Sequence, residues 1–203
     1  MAAPELFKVD QPRQLLVEGK DAKDFFEALV GKLGLDGFQV HNFGGIKEMR
    51  KFLKGFCAAP GFPCVRSIGV VRDAESSHQS AFQSVCDAIK NLGFATPRSP
   101  ESGTGGKPSW SVLILPDAST PGMLESLCLR SIDEQPVMQC IRKYFACIAE
   151  VGVTPKNAAK AYACAFLASC PEPKPSVGIA AKAGYWPLDH PAFDHVRRFL
   201  QAM

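Results

Sequence analysis

Three carboxylate side chains stand at the ends of two predicted strands. Glu18 follows the predicted buried strand residues 14–17, Asp73 ends the predicted strand 65–73, and Glu75 lies two residues further on. Parallel-sheet folds keep their working groups at the C-terminal ends of their strands, and residues two apart on a strand point to the same face. We therefore expect these carboxylates to share one site, provided that strand geometry persists to Glu75.

An acidic cluster of this kind indicates a divalent cation. Carboxylates that lie close together raise one another's pKa unless a cation neutralises them, and oxygen-rich acidic sites suit Mg²⁺ or Mn²⁺. Such ions activate water and stabilise charge on a transferring phosphoryl group. Two simpler interpretations stay open. Glu18 can be an ordinary surface residue at a strand end, and the acidic loop 73–75 can belong to a helix cap with Ser76 and Ser77.

The elements that position these residues alternate in type over the first half of the chain. Each predicted strand is followed by apolar residues at helical spacing, and the order β-α-β-α-β-α predicts a parallel sheet with right-handed crossovers. We predict that the first and third strands are adjacent, with the Glu18 and Asp73 side chains within reach of one ion. We also predict that the Pro- and Gly-rich loop 96–108 is more mobile than its flanks and overlies or borders the acidic site. The predicted strands are 14–18, 38–43, 65–73 and 110–115, and the predicted helices are about 21–33, 46–56, 77–92, 123–131, 136–151, 155–169 and 192–201.

The amino-acid composition limits the classes of protein to which this chain can belong. The 203 residues are 46% hydrophobic, enough for one large domain or for a domain with an extension. A formal net charge of +3 neither requires nor excludes nucleic acid. The eight cysteines show no C-x-x-C spacing and are interpreted as small core residues in a reducing cytosol. Residues 1–10 lack an apolar signal core, and no apolar run approaches the ~20 residues of a membrane span, so a soluble cytoplasmic protein is expected.

Competing enzyme signatures are absent from the sequence. The stretch Gly103–Lys107 suggests a phosphate loop, but Pro108 follows the lysine where the loop pattern requires Ser or Thr. No Ser–His or Cys–His nucleophile signature and no G-x-G-x-x-G motif is visible. Nucleotide-loop, serine or cysteine hydrolase and dinucleotide-dependent classes are therefore poorly supported.

The order of these motifs resembles the Toprim domain. A hydrophobic strand ending in Glu-Gly, a second strand ending in glycine and a third ending in an acidic-x-acidic pair are its pattern, and the likeness covers roughly residues 13–130. The resemblance extends to small stand-alone Toprim-like proteins allied to the overcoming-lysogenisation-defect (OLD) nucleases. It implies an α/β fold with a mostly parallel central sheet flanked by helices. The implied organisation is a Toprim-like domain over 1–130 and an all-helical extension over 131–203 packed on it.

The resemblance assigns roles to individual residues. Glu18 matches the first-strand glutamate, Asp73 and Glu75 match the acidic pair, and Glu125 is similar to a further metal ligand of the nuclease branch. Gly44 or Gly45 matches the glycine after the second strand.

Two positions depart from the family pattern. The second member of the acidic pair is usually aspartate, whereas this chain has Glu75. The second acid of the first motif commonly lies four residues after the glutamate, where this chain has Ala22, with Asp21 one position earlier. A one-metal site and a protein without catalytic activity therefore both stay open as alternatives.

Each of the further candidate site residues also has an ordinary structural interpretation. Lys156 and Lys160 lie four apart on a predicted helix, and nucleases allied to the family use a lysine near the scissile phosphate; a solvated helix face is the other interpretation. Asp117 follows the fourth strand and is either a site residue or a turn aspartate. Four cations of the second helix form either a stripe for a phosphate backbone or an exposed face: Lys47, Arg50, Lys51 and Lys54.

The sequence therefore predicts a divalent-metal-dependent phosphodiester enzyme acting on nucleic acid, most simply a nuclease. Mg²⁺ or Mn²⁺ is the expected cofactor. DNA or RNA is the expected partner, with a separate ATPase and a homo-oligomer as further partners that the resemblance allows. A non-catalytic Toprim-like module that binds nucleic acid or a protein partner is the alternative.

Overall fold

The computed structural model describes residues 8–203, and in it a four-stranded sheet lies between two layers of helices. The strands are β1 (Arg13–Val17), β2 (Phe38–Asn42), β3 (Ser67–Asp73) and β4 (Ser109–Leu115). The helices are α1 (Gly19–Lys32), α2 (Ile46–Cys57), α3 (His78–Lys90), α4 (Leu124–Arg130), α5 (Pro136–Glu150), α6 (Ala158–Ser169), α7 (Val177–Lys182) and α8 (Asp194–Ala202).

All strands of the sheet run parallel, in the order β2-β1-β3-β4. β1 pairs with β3 in a register that sets Val17 beside Val71. The predicted α/β fold with a parallel central sheet and a helical C-terminal part is confirmed, as is the adjacency of the first and third strands. The carboxyl ends of β1 and β3 therefore meet at one edge of the sheet.

Each face of the sheet carries its own hydrophobic core. Leu16 and Val70 point to the face covered by α2 and α3, where Leu53 and Val85 are fully buried. Their strand neighbours Val17 and Val71 point to the other face, which α1 and the helices after β4 cover. Strand alternation thus divides consecutive residues between two cores.

The C-terminal helices share the second of these cores with the sheet. Phe166, Trp186 and Phe199 belong to the same buried cluster as Phe25 of α1. The division of the chain near residue 130 stays a prediction.

Helix α7 was not expected from the sequence. It packs on α1 so closely that a Cβ atom added at Gly178 would lie 2.2 Å from the carbonyl oxygen of Asp21. Glycine at this position lets the two backbones approach.

The loop 96–108 lies along the outer edge of β4. The backbone N–H groups of Glu101 and Thr104 donate to the carbonyls of Val112 and Trp110, at 2.7 and 2.9 Å. The loop therefore covers an edge strand that would otherwise present unpaired backbone groups. It does not line the acidic cleft, so the expectation that it borders the site is wrong. Among the described helices, none is long and apolar enough to cross a membrane.

Candidate functional site

A cleft of about 310 Å³ opens at the carboxyl ends of β1 and β3. Four of the predicted carboxylates and one of the two predicted lysines line it, together with the glycines that follow β2. The lining residues are Glu18, Gly19, Lys20, Asp21, Ala22, Gly44, Gly45, Asp73, Glu75, Leu124, Glu125 and Lys160.

Glu18 sits where β1 turns into α1. Gly19 has a φ of +87°, which a residue with a side chain rarely adopts, and its N–H donates to Asn42 Oδ1 at 2.9 Å. The same Asn42 oxygen accepts the N–H of Gly44 at 2.7 Å, so one amide holds both glycine turns. The turn after β1, which carries Glu18, and the turn after β2 are thereby held side by side.

Arg72 is the cation next to Glu18. The register of β1 and β3 places these residues at corresponding positions just beyond Val17 and Val71, and Arg72 Nε lies 3.6 Å from Glu18 Oε2. That distance is too long for a hydrogen bond. Among residues 8–203, Oε2 of Glu18 and Nε of Arg72 have no hydrogen-bond partner, although both atoms are buried. Burial raises the pKa of Glu18, while Arg72 lowers it and the charge of Glu75 raises it.

Asp73 leaves the sheet from the opposite face, toward α4. Its Oδ1 accepts the backbone N–H of Leu124 at 3.0 Å, so the carboxylate caps the start of that helix. Burial is the largest cause that raises the pKa of Asp73 to about 7, followed by the charges of Glu125 and Glu18. Glu18 and Asp73 start on different faces, yet both line the cleft because it lies beyond the strand ends.

Glu75 reaches the cleft by a turn of the backbone. β3 ends at Asp73, so strand geometry does not persist to Glu75. Glu75 has a φ of 53°, an uncommon value for a residue with a side chain. A two-way backbone bridge to Gly122 holds it there, with both N–H···O distances at 2.9 Å. This backbone strain is fixed at the cleft wall, which is typical of functional sites.

Glu125 enters the cleft from the first turn of α4. Its side chain is 14% exposed, and Lys160 Nζ lies 4.0 Å away. Burial raises the pKa of Glu125, while Lys160 lowers it. Lys160 belongs to the first turn of α6 and is itself 61% exposed.

Lys156 is not part of the cleft. α6 begins at Ala158, and Asn157 is its N-cap, with Oδ1 accepting the N–H of Lys160 at 3.0 Å. The prediction of a helix from residue 155 is therefore wrong, and Lys156 does not share a helix face with Lys160. The prediction took Pro155 as the first helical residue, but the side chain of Asn157 caps the helix two residues later.

Two other acids of the sequence serve the fold. Both oxygens of Asp21 accept backbone N–H groups at the start of α7, from Val177 at 3.2 Å and Gly178 at 2.6 Å. Asp117 accepts hydrogen bonds from Ser119 and Thr120 and pairs with Arg130. Burial opposes the effect, but these donors lower the pKa of Asp117 overall. Asp117 is thus the turn aspartate of the simpler interpretation.

The carboxylates of the cleft are grouped but not yet arranged as ligands. Within residues 8–203, no group of three or more His, Cys, Asp or Glu side chains is set to hold a metal ion as it stands. Existing contacts explain this. Glu18 faces Arg72, Asp73 caps α4 and Glu125 faces Lys160. Binding an ion requires at least some of these contacts to be exchanged.

The fold and the cleft define a parallel α/β protein with an acidic site at its strand ends. Residues 12–203 match the model of the family described as "Protein of unknown function (DUF3226)", and the chain belongs to that family. No curated protein matches the chain.

Two solved structures are similar to the chain over 95% of its length. Both are of the C-terminal region of the OLD protein of Xanthomonas campestris pv. campestris. The mercury-phased structure has a TM-score of 0.42 and 11% identity, with 96% of that chain covered. The platinum-phased structure has a TM-score of 0.37 and 9% identity, with 98% of that chain covered.

Proposed function

We propose that this protein is a divalent-metal-dependent phosphodiester enzyme that acts on nucleic acid, and specifically a nuclease. The observation that carries the proposal is Asp73, a carboxyl whose pKa is raised to about 7 in a cleft shared with four other carboxylates. Buried carboxylates that repel one another destabilise a fold unless a bound cation neutralises them.

The donor set fits a hard cation. The four predicted ligands offer only carboxylate oxygens, which Mg²⁺ and Mn²⁺ prefer, and Oε2 of Glu18 is a buried acceptor that lacks a hydrogen-bond donor among the described residues. The residues that would hold the ion are Glu18, Asp73, Glu75 and Glu125. When bound, such an ion supplies positive charge to a phosphate and makes a bound water more acidic.

The chain's own residues divide the remaining tasks. Lys160 is exposed enough to leave Glu125 and pair with a phosphate oxygen, where an ammonium stabilises developing negative charge. Arg72 keeps Glu18 partly neutralised in the absence of the ion. Since Arg72 also donates to the carbonyl of Ala81 at 3.3 Å, it has a place to remain when Glu18 turns to a ligand.

The basic face of α2 supports nucleic acid as the substrate. The helix begins directly after Gly45, which lines the cleft. Its four cations are exposed, and none of them forms an ion pair with any residue from Lys8 to Met203: Lys47, Arg50, Lys51 and Lys54. A stripe of unpaired cations beside a phosphodiester site matches the charge of a nucleic-acid backbone.

A non-catalytic binding module is the second candidate, and a specific observation favours it. Ala22 stands where the Toprim pattern has a second acid, and Asp21, its nearest acidic neighbour, has both oxygens engaged by the backbone of α7. These residues leave ligands for one ion rather than two. A single ion supports binding, but gives a phosphodiester bond less assistance than two.

Cleavage assays with purified protein separate the two candidates. We expect wild-type protein to cut single-stranded DNA, double-stranded DNA or RNA with Mn²⁺ or Mg²⁺ and not with EDTA. Asp73→Asn and Glu18→Gln should lose at least about a hundredfold in rate, as expected for charged groups at a reacting centre. Glu134→Gln, at an exposed acid outside the cleft, is the matched control.

The outcomes are distinct. Metal-dependent nucleic-acid binding without cleavage supports the module. Cleavage that survives in both cleft variants contradicts the proposed site. Activity in the isolated chain also shows that no separate ATPase is required.

A further inference from the structure

The hairpin of α5 and α6 leaves a row of apolar side chains in solvent. Tyr144 is 56% exposed and Val151, at the C-terminal end of α5, is 76% exposed. Cys140 and Cys147 are exposed on the same helix, so their interpretation as core residues is wrong. At 3.6 residues per turn these side chains share one face, well separated from the buried face that carries Met138 and Ile141. We call the row Cys140, Tyr144, Cys147 and Val151 the α5 stripe.

The spacing of the α5 stripe is that of a coiled-coil seam. Successive members are separated by four, three and four residues, the heptad pattern in which core positions alternate. A single helix cannot bury such a seam by itself. α6 covers another side of α5, where Phe145 stacks on Tyr162 with ring centroids 4.2 Å apart. The α5 stripe therefore has room for a further helix.

Helix α6 adds apolar surface to the same hairpin. Its only charged residue is Lys160, and its other residues are Ala, Cys, Phe, Leu, Tyr and Ser. Cys164 and Ala168 are exposed. A helix without a polar face is typical of a buried position, so its exposure here indicates a surface that is covered in an assembly.

Two charges beside the α5 stripe identify what covers it. Lys143 and Glu150 are exposed and form no ion pair with any residue of the described range 8–203. They lie seven residues apart on the same flank of the stripe, at equivalent heptad positions. Flanking charges of this kind set the partner and the orientation of paired helices.

The two flanking charges, Lys143 and Glu150, complement each other when two copies of α5 pair. When two copies of α5 pair antiparallel, with Tyr144 of one copy against Cys147 of the other, Cys140 falls opposite Val151 at both ends. In that register the flanking positions also face each other, so Lys143 of each copy meets Glu150 of the other. In a parallel, in-register pair, Lys143 would instead lie opposite Ile148 of the other copy, and its charge would not meet Glu150. The charged positions thus select the antiparallel two-fold arrangement.

We propose that the protein forms a homodimer through an antiparallel pair of α5 helices about a two-fold axis close to residues 145–146. The interface is isologous, so each contact occurs twice. Since α6 packs on α5 and carries Lys160 to the acidic cleft, the dimer holds two clefts in one particle. This assembly does not depend on the chemistry of the cleft.

Charge exchange tests the register by sedimentation equilibrium of the full chain. Lys143→Glu and Glu150→Lys should each weaken the dimer by about tenfold or more, because each puts like charges together at both ends. An equimolar mixture of the two variants should dimerise again, since their heterodimer restores two opposite-charge pairs. Lys51→Glu, an exposed lysine of α2, is the control that should leave the dimer unchanged.

A covalent test uses the native Cys147. In a chain with Cys64→Ser, Cys140→Ser and Cys164→Ser, adding Tyr144→Cys should give an oxidised dimer on exposure to copper phenanthroline, and the same chain with Cys147→Ser should not. A monomer at millimolar concentration overturns the proposal. So does a dimer that tolerates both charge reversals, or a mixture that remains monomeric.

Discussion

The raised pKa of Asp73 makes the stability of the metal-free protein depend on pH. Its folded pKa is about 7, against an ordinary value of 3.8. Between about pH 4 and pH 7 the folded state therefore binds one proton more than the unfolded state, and stability falls as the pH rises. At 1.36 kcal/mol per pKa unit, a difference of about three units corresponds to about 4 kcal/mol lost by pH 8.

Asp73→Asn isolates this contribution. The amide oxygen can still accept the N–H of Leu124, but the side chain carries no charge. At pH 8 in EDTA the variant should be more stable than the wild type by up to about 4 kcal/mol, a rise of about 10 °C in Tm, and the two should converge near pH 4. Some pH dependence remains in the variant, because burial also raises the pKa of Glu18 and Glu125.

Urea unfolding at pH 4, 6 and 8 measures the difference directly. Asp189→Asn removes an exposed acid outside the cleft and should run parallel to the wild type at all three values. Parallel curves for Asp73→Asn and the wild type would refute the claim that the ionised Asp73 carboxylate destabilises the metal-free fold.

Three further changes test separate parts of the structure. Glu125→Gln removes the largest charge that raises the pKa of Asp73, so carboxyl-carbon NMR should show Asp73 titrating at lower pH. Gly178→Ala should lower the free energy of unfolding by about 2 kcal/mol in urea, because the added Cβ meets the α1 backbone. Lys160→Ala should slow metal-dependent cleavage about a hundredfold, whereas Lys156→Ala should leave the rate unchanged.

The sheet was predictable because its signals are local. β1, β3 and β4 each carry a run of mostly apolar residues, and each of the first three helices repeats apolar residues at helical spacing. The parallel direction of the strands followed from their alternation with helices. Helix α7 was not predicted, because Val177–Lys182 is only six residues long and follows three closely spaced prolines. Its stability comes from packing on α1 rather than from an amphipathic pattern.

The cleft was predictable in its acids and not in their partners. Glu18, Asp73 and Glu75 were predicted from their places at or just after strand ends, whereas Glu125 was predicted from the resemblance to the Toprim pattern. Arg72 was missed because its place beside Glu18 depends on the register of two strands, which one sequence does not encode locally. The engagement of Asp21 by α7 joins residues more than 150 positions apart, beyond the reach of any spacing rule.

Mn²⁺ binding to the metal-free protein tests the central claim most directly. Isothermal titration at pH 7.5 should show one ion per chain for the wild type and for Glu134→Gln, and electron paramagnetic resonance should show the free Mn²⁺ signal falling in step. The same titration should show no such binding by Asp73→Asn. Equal Mn²⁺ binding by Asp73→Asn and the wild type, or no binding by the wild type, would contradict the assignment of the acidic cleft as a metal site.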